Sequence, residues 1–244
     1  MRGGKKGALP PEDSQGMVLL EELLAMLLPE ADARRAFGQL KSRLGRLRNI
    51  LPAPEAELAR LPGMTAQSAR FLRLSLELAR AYMEDAAEGA RDIPDFACFV
   101  ELLRPAFLGS RTERVAALLL DSRGRYLYGG PVFEGGIGGV TLNFRRLAGL
   151  CDSYDASGIV IAHNHPTGDV LPSIEDIAAT GQALRALMGI GVDLRDHIIF
   201  TERDEFSFAE SGLLADMLAM ALEEQRQRVK ETNEIAAAFW QERQ

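Results

Sequence analysis

The chain has 244 residues, 47% of them hydrophobic, and a formal net charge of −7 at pH 7. That length accommodates one large domain or two small ones, and that apolar share builds an ordinary core. The acidic balance excludes a wholly basic nucleic-acid coat protein, although the first ninety residues are near neutral and the acidic excess lies beyond them.

Residues 1–16, rich in Gly, Lys and Pro, are expected to form a disordered tail. They carry charge with no apolar run behind it, which excludes a signal peptide. Nowhere does the chain approach the roughly 18 apolar residues of a membrane span. A cytoplasmic protein with no membrane partner is the expectation. Cys98 and Cys151 have no paired spacing, so reduced thiols are expected in place of a disulfide framework.

Residues 17–88 read as a small helical domain. Leu19, Leu20, Leu23, Leu24 and Leu27 recur at helical spacing, as do Phe37, Leu40, Leu44 and Leu47. Arg34, Arg35, Lys41, Arg43, Arg46 and Arg48 form a local basic stripe with no acid between positions 33 and 54. A third segment ends at Leu61-Pro62-Gly63, and a fourth runs over 66–83. Residues 85–95 read as a linker.

A helix over about 95–103 then gives way to strands. The apolar run 115–120 reads as a buried strand. Asp121 to Gly124 supplies a turn, and 126–133 the partner strand. The glycines at 135, 136, 138 and 139 read as a loop, with no GxxxxGK[ST] or GxGxxG spacing to cradle phosphate. A helix over 142–151, a short buried strand over 159–162, a helix over about 173–188 and a strand over 193–200 follow. Strands interleaved with helices imply an α/β (α+β) layer, a sheet covered by helices. Residues 215–244 continue as a C-terminal helical extension of one long, charged helix over about 213–240.

The chain has three histidines, all between positions 163 and 197. On extended backbone, His163 and His165 put both rings on one face. They are expected just past the end of the buried strand. Asp176 follows eleven residues after His165, in the first turn of the next helix, and the Pro-Thr-Gly-Asp-Val-Leu-Pro segment between them turns the chain back. An HxH pair alone is often accidental; the full H-x-H-x7-S-x2-D spacing is far more specific. Two imidazoles and a carboxylate suit Zn2+ and leave a fourth position for water, the layout of a catalytic site. Zinc lowers the pKa of such a water to about 7 and polarises a carbonyl. Ser173 fits a helix cap, since Ser-x-x-Asp ahead of an apolar run is a capping pattern. His197, beside Asp196 on an apolar strand, reads as a buried partner of the site and not a ligand. Asp169 after Gly168 reads as a turn former.

His163-Asn-His-Pro-Thr-Gly-Asp169 with the downstream Pro172-Ser-Ile-Glu-Asp176 resembles the RadC version of the JAB/MPN (JAMM) metalloprotease motif. Val115-Ala-Ala-Leu-Leu-Leu-Asp121, Phe133-Glu-Gly135, Asp196-His-Ile-Ile199 and Ser207-Phe-Ala-Glu-Ser-Gly212 are similar to the family's core strands and closing turn. The resemblance implies a JAB/MPN-like metallohydrolase domain over 95–214, with His163, His165 and Asp176 as zinc ligands. It also implies that Ser173 steadies an oxyanion on the attacked carbonyl. A glutamate on a neighbouring strand is implied as general base, expected a few residues before Gly135. Gly130-Pro131-Val132 stands there; Glu134, the one carboxylate near, is the candidate base, Asp121 is the next acid upstream, and the alternative is that the base is missing.

Leu61-Pro-Gly-Met-Thr65 resembles a helix-hairpin-helix, which offers backbone N–H groups to a DNA phosphate. Thr65 departs from the pattern, standing where a second glycine is usual. Gly63, Arg43 and Arg46 are the candidate nucleic-acid contacts. Two function classes stay open. One is a zinc-dependent hydrolase of peptide or isopeptide bonds in an unidentified peptide or protein substrate. The other is a DNA-repair-associated accessory protein, binding DNA weakly and without sequence preference, with a structural or vestigial zinc site. A two-metal nuclease is disfavoured by the single His2Asp set. The C-terminal helix is a candidate surface for homo-oligomerisation.

Overall fold

The computed structural model describes residues 15–87, 92–93, 95–134 and 144–241, without the side chains of 84–87 and 134. The sequence expectations for 1–14 and for the glycine loop at 135–139 lie outside these residues. The chain divides into two compact units, Met1–Met83 and Glu84–Gln244.

The first unit is helical: α1 (Gln15–Leu27), α2 (Glu30–Leu44), α3 (Leu47–Ile50), α4 (Glu55–Leu58) and α5 (Ala66–Ala87), the last running on past Met83. Gln15 and Gly16 open α1 and do not belong to a disordered tail. The buried stripe Met17, Leu20 and Leu24 has helical period and meets Ala33, Ala36 and Leu40 of α2. At Gly63 the backbone takes φ +90°, and a Cβ there would lie 2.4 Å from the Asp32 carbonyl oxygen and 2.8 Å from the Ala36 nitrogen. Only glycine lets the turn before α5 sit this close to α2. Thr65 then caps α5 reciprocally. Its hydroxyl accepts from the Ser68 N–H at 3.1 Å, and its own N–H donates to the Ser68 hydroxyl at 2.9 Å.

The second unit opens with α6 (Phe96–Leu103) and a 3-10 turn at Arg104–Phe107. Next come β1 (Arg114–Leu120), β2 (Tyr126–Glu134), α7 (Phe144–Ser153) and β3 (Gly158–Asn164). The chain continues through α8 (Ile174–Met188), β4 (Asp193–Phe200), β5 (Glu205–Ser207) and α9 (Leu213–Gln241). The sheet order is β2-β1-β3-β4-β5. β1 pairs antiparallel with β2 and β3, while β3 and β4 pair parallel, joined by α8 as crossover.

β1 and β3 are buried almost throughout, which is why their sequences are continuous apolar runs. Alternation splits them between two cores. Val115, Ala117, Leu119, Ile159 and Ile161 face Leu147 of α7, Leu184 of α8 and Leu214 of α9. Ala116, Leu118, Leu120, Val160 and Ala162 face Leu102 and Leu103 of α6 and Ala106 of the 3-10 turn. Fully burying each Leu or Ile contributes about 1.5–3 kcal/mol. β5 is too short to have a sequence signature; its Glu205 pairs with Arg104, whose guanidinium also lies 5.0 Å from the Phe200 ring centroid. Two side chains of α9 are buried, Leu214 and Ala221, and the helix is exposed from Leu222 onward. The described helices include none long and apolar enough to cross a membrane.

Candidate metal centre

β3 ends at Asn164, so His163 lies inside the strand and not beyond it, and it is fully buried. His165 is the first residue past the strand, and its N–H donates to the Phe200 carbonyl of β4 at 2.8 Å. The site therefore stands at the carboxyl ends of two parallel strands, where α/β sheets commonly bind ligands. Gly168, at φ +89°, turns the chain. The Asp169 carboxylate then accepts from the Leu171 N–H at 3.0 Å, the side-chain turn that asparates favour.

The returning chain enters α8 through a complete capping box. The Ser173 hydroxyl accepts from the Asp176 N–H at 3.1 Å, and the Asp176 carboxylate accepts from the Ser173 N–H at 2.7 Å. The Ser173 hydroxyl also donates to Asp176 Oδ2 at 2.6 Å. Its proton thus orients the carboxylate, and a role at an oxyanion requires that hydroxyl to turn. The cap leaves Asp176 3% exposed in the first turn of α8, where the helix dipole favours an anion.

Three ligand atoms converge, all within 4.8 Å of one another among His163, His165 and Asp176. His163 Nε2 lies 3.1 Å from Asp176 Oδ1 and 2.9 Å from His165 Nε2; His165 Nε2 lies 3.4 Å from Asp176 Oδ2. His165 Nδ1 lies 2.7 Å from the Asp169 carbonyl oxygen. A carbonyl only accepts, so Nδ1 carries the hydrogen and Nε2 of a neutral ring has a bare lone pair. Lone pairs and a carboxylate packed this closely repel one another until a cation joins them, so the donor set fits a metal ion.

The electrostatics agree with that reading. Burial pushes His163 downward from the usual imidazole pKa, favouring the neutral ring a metal needs. The Asp176 carboxylate pushes His165 upward. Burial alone would raise Asp176, but the polar side chains of His163, His165 and Ser173 packed against it outweigh burial and hold the carboxyl well below the usual range. Behind the ligands, His163 Nδ1 meets His197 Nε2 at 2.9 Å, and His197 Nδ1 meets the Thr180 hydroxyl at 2.6 Å.

The side chain of Glu134 lies outside the described residues. Its backbone on β2 pairs with Arg114 of β1. Another acid, one that sequence reasoning did not single out, lies on the side of the site: Glu113, half-buried at the entry to β1, whose charge favours the protonated form of both His163 and His165, though burial still leaves His163 lowered. Val115 pairs with His163 across β1 and β3, and Glu113 lies two residues before it, towards the His165 end. Asn164 fixes this juncture. Its side chain accepts from the Arg114 N–H at 2.8 Å and donates to the Thr112 carbonyl at 3.2 Å, bracketing Glu113. An acid at the start of a buried apolar run was the available signal, but it acquires meaning only through strand register.

The candidate nucleic-acid residues belong to the first unit. Arg43, on α2, donates to Gln39 Oε1 at 3.1 Å, and Arg46 is exposed just before α3. Gly63 has its backbone pressed on α2, and the Thr65 N–H is already bound to Ser68. The turn thus keeps for itself the donor that a hairpin offers to phosphate.

A family model described as a RadC-like JAB domain matches residues 95–213. A UPF0758 protein of Stenotrophomonas maltophilia (strain K279a) is 34% identical over 199 residues, covering 80% of this chain and 85% of that protein. One from Xanthomonas euvesicatoria pv. vesicatoria (strain 85-10) is 32% identical over 197 residues, with 79% and 88% covered. Another from Shewanella sp. (strain W3-18-1) is 32% identical over 212 residues, with 85% and 91% covered. Those names state no activity.

Proposed function

The chain belongs to the RadC family, with a JAB/MPN-type domain, and from that membership and the converging donor set we propose a zinc-dependent hydrolase of peptide or isopeptide amide bonds. The observation that carries the reading is the meeting of two imidazole Nε2 atoms and one buried carboxylate beside a further acid, Glu113. His163, His165 and Asp176 would hold the ion, with a fourth position open to solvent. Zinc in that set would acidify a water molecule and polarise the carbonyl to be attacked. In this reading Glu113 takes the general-base role: its carboxylate accepts the proton of the attacking water and returns it to the leaving amine. Ser173 orients Asp176 and caps α8. Asn164 holds the backbone on either side of Glu113.

The test is metal content and amide hydrolysis of the full chain, compared with Glu113→Gln and with His163→Ala/His165→Ala. The expected result is about one zinc per chain in wild type and in Glu113→Gln, and none in the double variant. Glu113→Gln is expected to lose about 10²–10⁴-fold in rate, the usual weight of general-base catalysis. A folded wild-type chain that takes up no metal would sink the proposal. The DNA-associated accessory role would then be favoured, supported by the exposed cations Arg43 and Arg46. Its own check is retention on duplex DNA that weakens steeply with salt.

A further inference from the structure

We propose that His197 and Thr180 are positioning residues whose hydrogen bonds lock His163 into the tautomer that presents a bare Nε2 to the metal ion. The proposal rests on His163 being a ligand, and the geometry allows one direction of donation. The Thr180 hydroxyl lies 2.6 Å from the backbone carbonyl oxygen of Asp176, one turn earlier in α8. That carbonyl has no hydrogen, so the hydroxyl donates, and its single hydrogen is spent there. Its oxygen must then accept from His197 Nδ1, 2.6 Å away.

His197 is 1% exposed, and its ring stacks on Phe208 with centroids 4.8 Å apart and planes at 19°. A ring so buried, with the Thr180 hydroxyl on one nitrogen and the His163 imidazole on the other, is held in its neutral form by the cost of burying a charge. The nearest carboxylate along the strand, Asp196, is committed elsewhere, to the Ser207 hydroxyl and the Ala209 and His197 N–H groups. With its hydrogen on Nδ1, His197 has only a lone pair on Nε2. His163 Nδ1, 2.9 Å away, must donate to it. A neutral His163 then has no hydrogen on Nε2, the atom that faces Asp176 Oδ1 and His165 Nε2.

Reversing the relay would turn the hydroxyl toward His197 and leave two oxygens with no hydrogen between them 2.6 Å apart, which is repulsive. The relay also ties the ligands together. It starts at the backbone of Asp176 and ends on the ring of His163, so α8 and β3 share one chain of hydrogen bonds behind the ion.

The relay can be tested in two ways that need no substrate. Long-range proton–nitrogen NMR of the metal-stripped full chain should show His163 with its hydrogen on Nδ1. Zinc affinity, read by competition with a chromophoric chelator, should fall about 10–100-fold in Thr180→Val and in His197→Phe. Thr180→Ser, which retains the hydroxyl, should bind close to wild type, which loss of packing alone would not explain. The proposal is overturned if His163 carries its hydrogen on Nε2. It is equally overturned if folded Thr180→Val binds zinc as tightly as wild type, or if wild type binds no zinc. A chain that shows the expected tautomer and affinities but cleaves no amide supports the relay while removing the hydrolase reading.

Discussion

Replacing Asn164 by Ala tests whether the tie between β3 and the entry of β1 serves catalysis as well as folding. The change removes two hydrogen bonds, of 2.8 Å and 3.2 Å, from a residue that is 5% exposed. Each is worth about 0.5–1.5 kcal/mol, and the orphaned Arg114 N–H and Thr112 carbonyl add a desolvation cost that partial fraying relieves. The expected loss is about 2 kcal/mol, or a fall in Tm of roughly 4–8 °C for a unit of this size. Because the tie brackets Glu113, kcat on an amide substrate should fall while zinc content holds. The decisive assay is a double-mutant cycle with Glu113→Gln. If Asn164 acts by positioning that carboxylate, Asn164→Ala should cost nothing further in kcat once Glu113 is gone. Equal cost in both backgrounds, or a destabilised protein with unchanged kcat, would refute the reasoning.

Ser173→Ala removes both the cap on Asp176 and the 2.6 Å bond to its carboxylate; a loss of about 1 kcal/mol in stability and a weaker zinc affinity should appear together in thermal melts and chelator competition. Gly63→Ala should destabilise the first unit by about 2 kcal/mol or more, since the backbone conformation and the contact with α2 both oppose a Cβ. Hydrogen exchange should find that loss confined to α2 and α5. Zinc affinity should rise with pH through the titration of His165, because the ion displaces a proton that Asp176 stabilises. In the metal-free chain the His165 contribution to stability is full below its ordinary value of 6.5 and is lost as pH climbs through its raised value, while the burial of His163 and His197 as neutral rings works in the opposite sense and costs stability as pH falls below 6.5. The Asp176 contribution, from a depressed carboxyl, is present above the ordinary value of 3.8 and is lost as pH falls below it. Denaturant melts across that range check both signs.

Much of the second unit was legible in the sequence because buried strands announce themselves. The apolar runs at 115–120 and 159–162 lie inside β1 and β3, and the helix after the motif begins at its Ser173 cap. The motif spacing leads to three side chains that do converge, because all lie within residues 163–176, where one turn and one helix decide the geometry. What the sequence left unread was long-range. Glu113 stands at the start of a buried apolar run, but only the pairing of Val115 with His163 gives that position a meaning. His163 was placed outside the strand because polar residues read as loop, whereas β4 continues to pair with β3 through Asn164. The Leu-Pro-Gly turn reads in sequence as a phosphate contact; the structure adds a packing role that the sequence could not show, the closeness of its glycine to α2. β5 left no trace, since three residues on a sheet edge have no period to detect.

The separation in sequence between the candidate ligands and Glu113 also bears on the order in which this site forms. The ligand set closes through a short, local segment, whose entropy of closure is small. Glu113 is delivered only when strands some fifty residues apart in sequence have paired, a slower and more costly event. On the proposed reading, a chain emerging into a medium that holds the ion would capture it before Glu113 is in place. Metal uptake would then report the birth of β3 and α8, and hydrolysis the completion of the sheet.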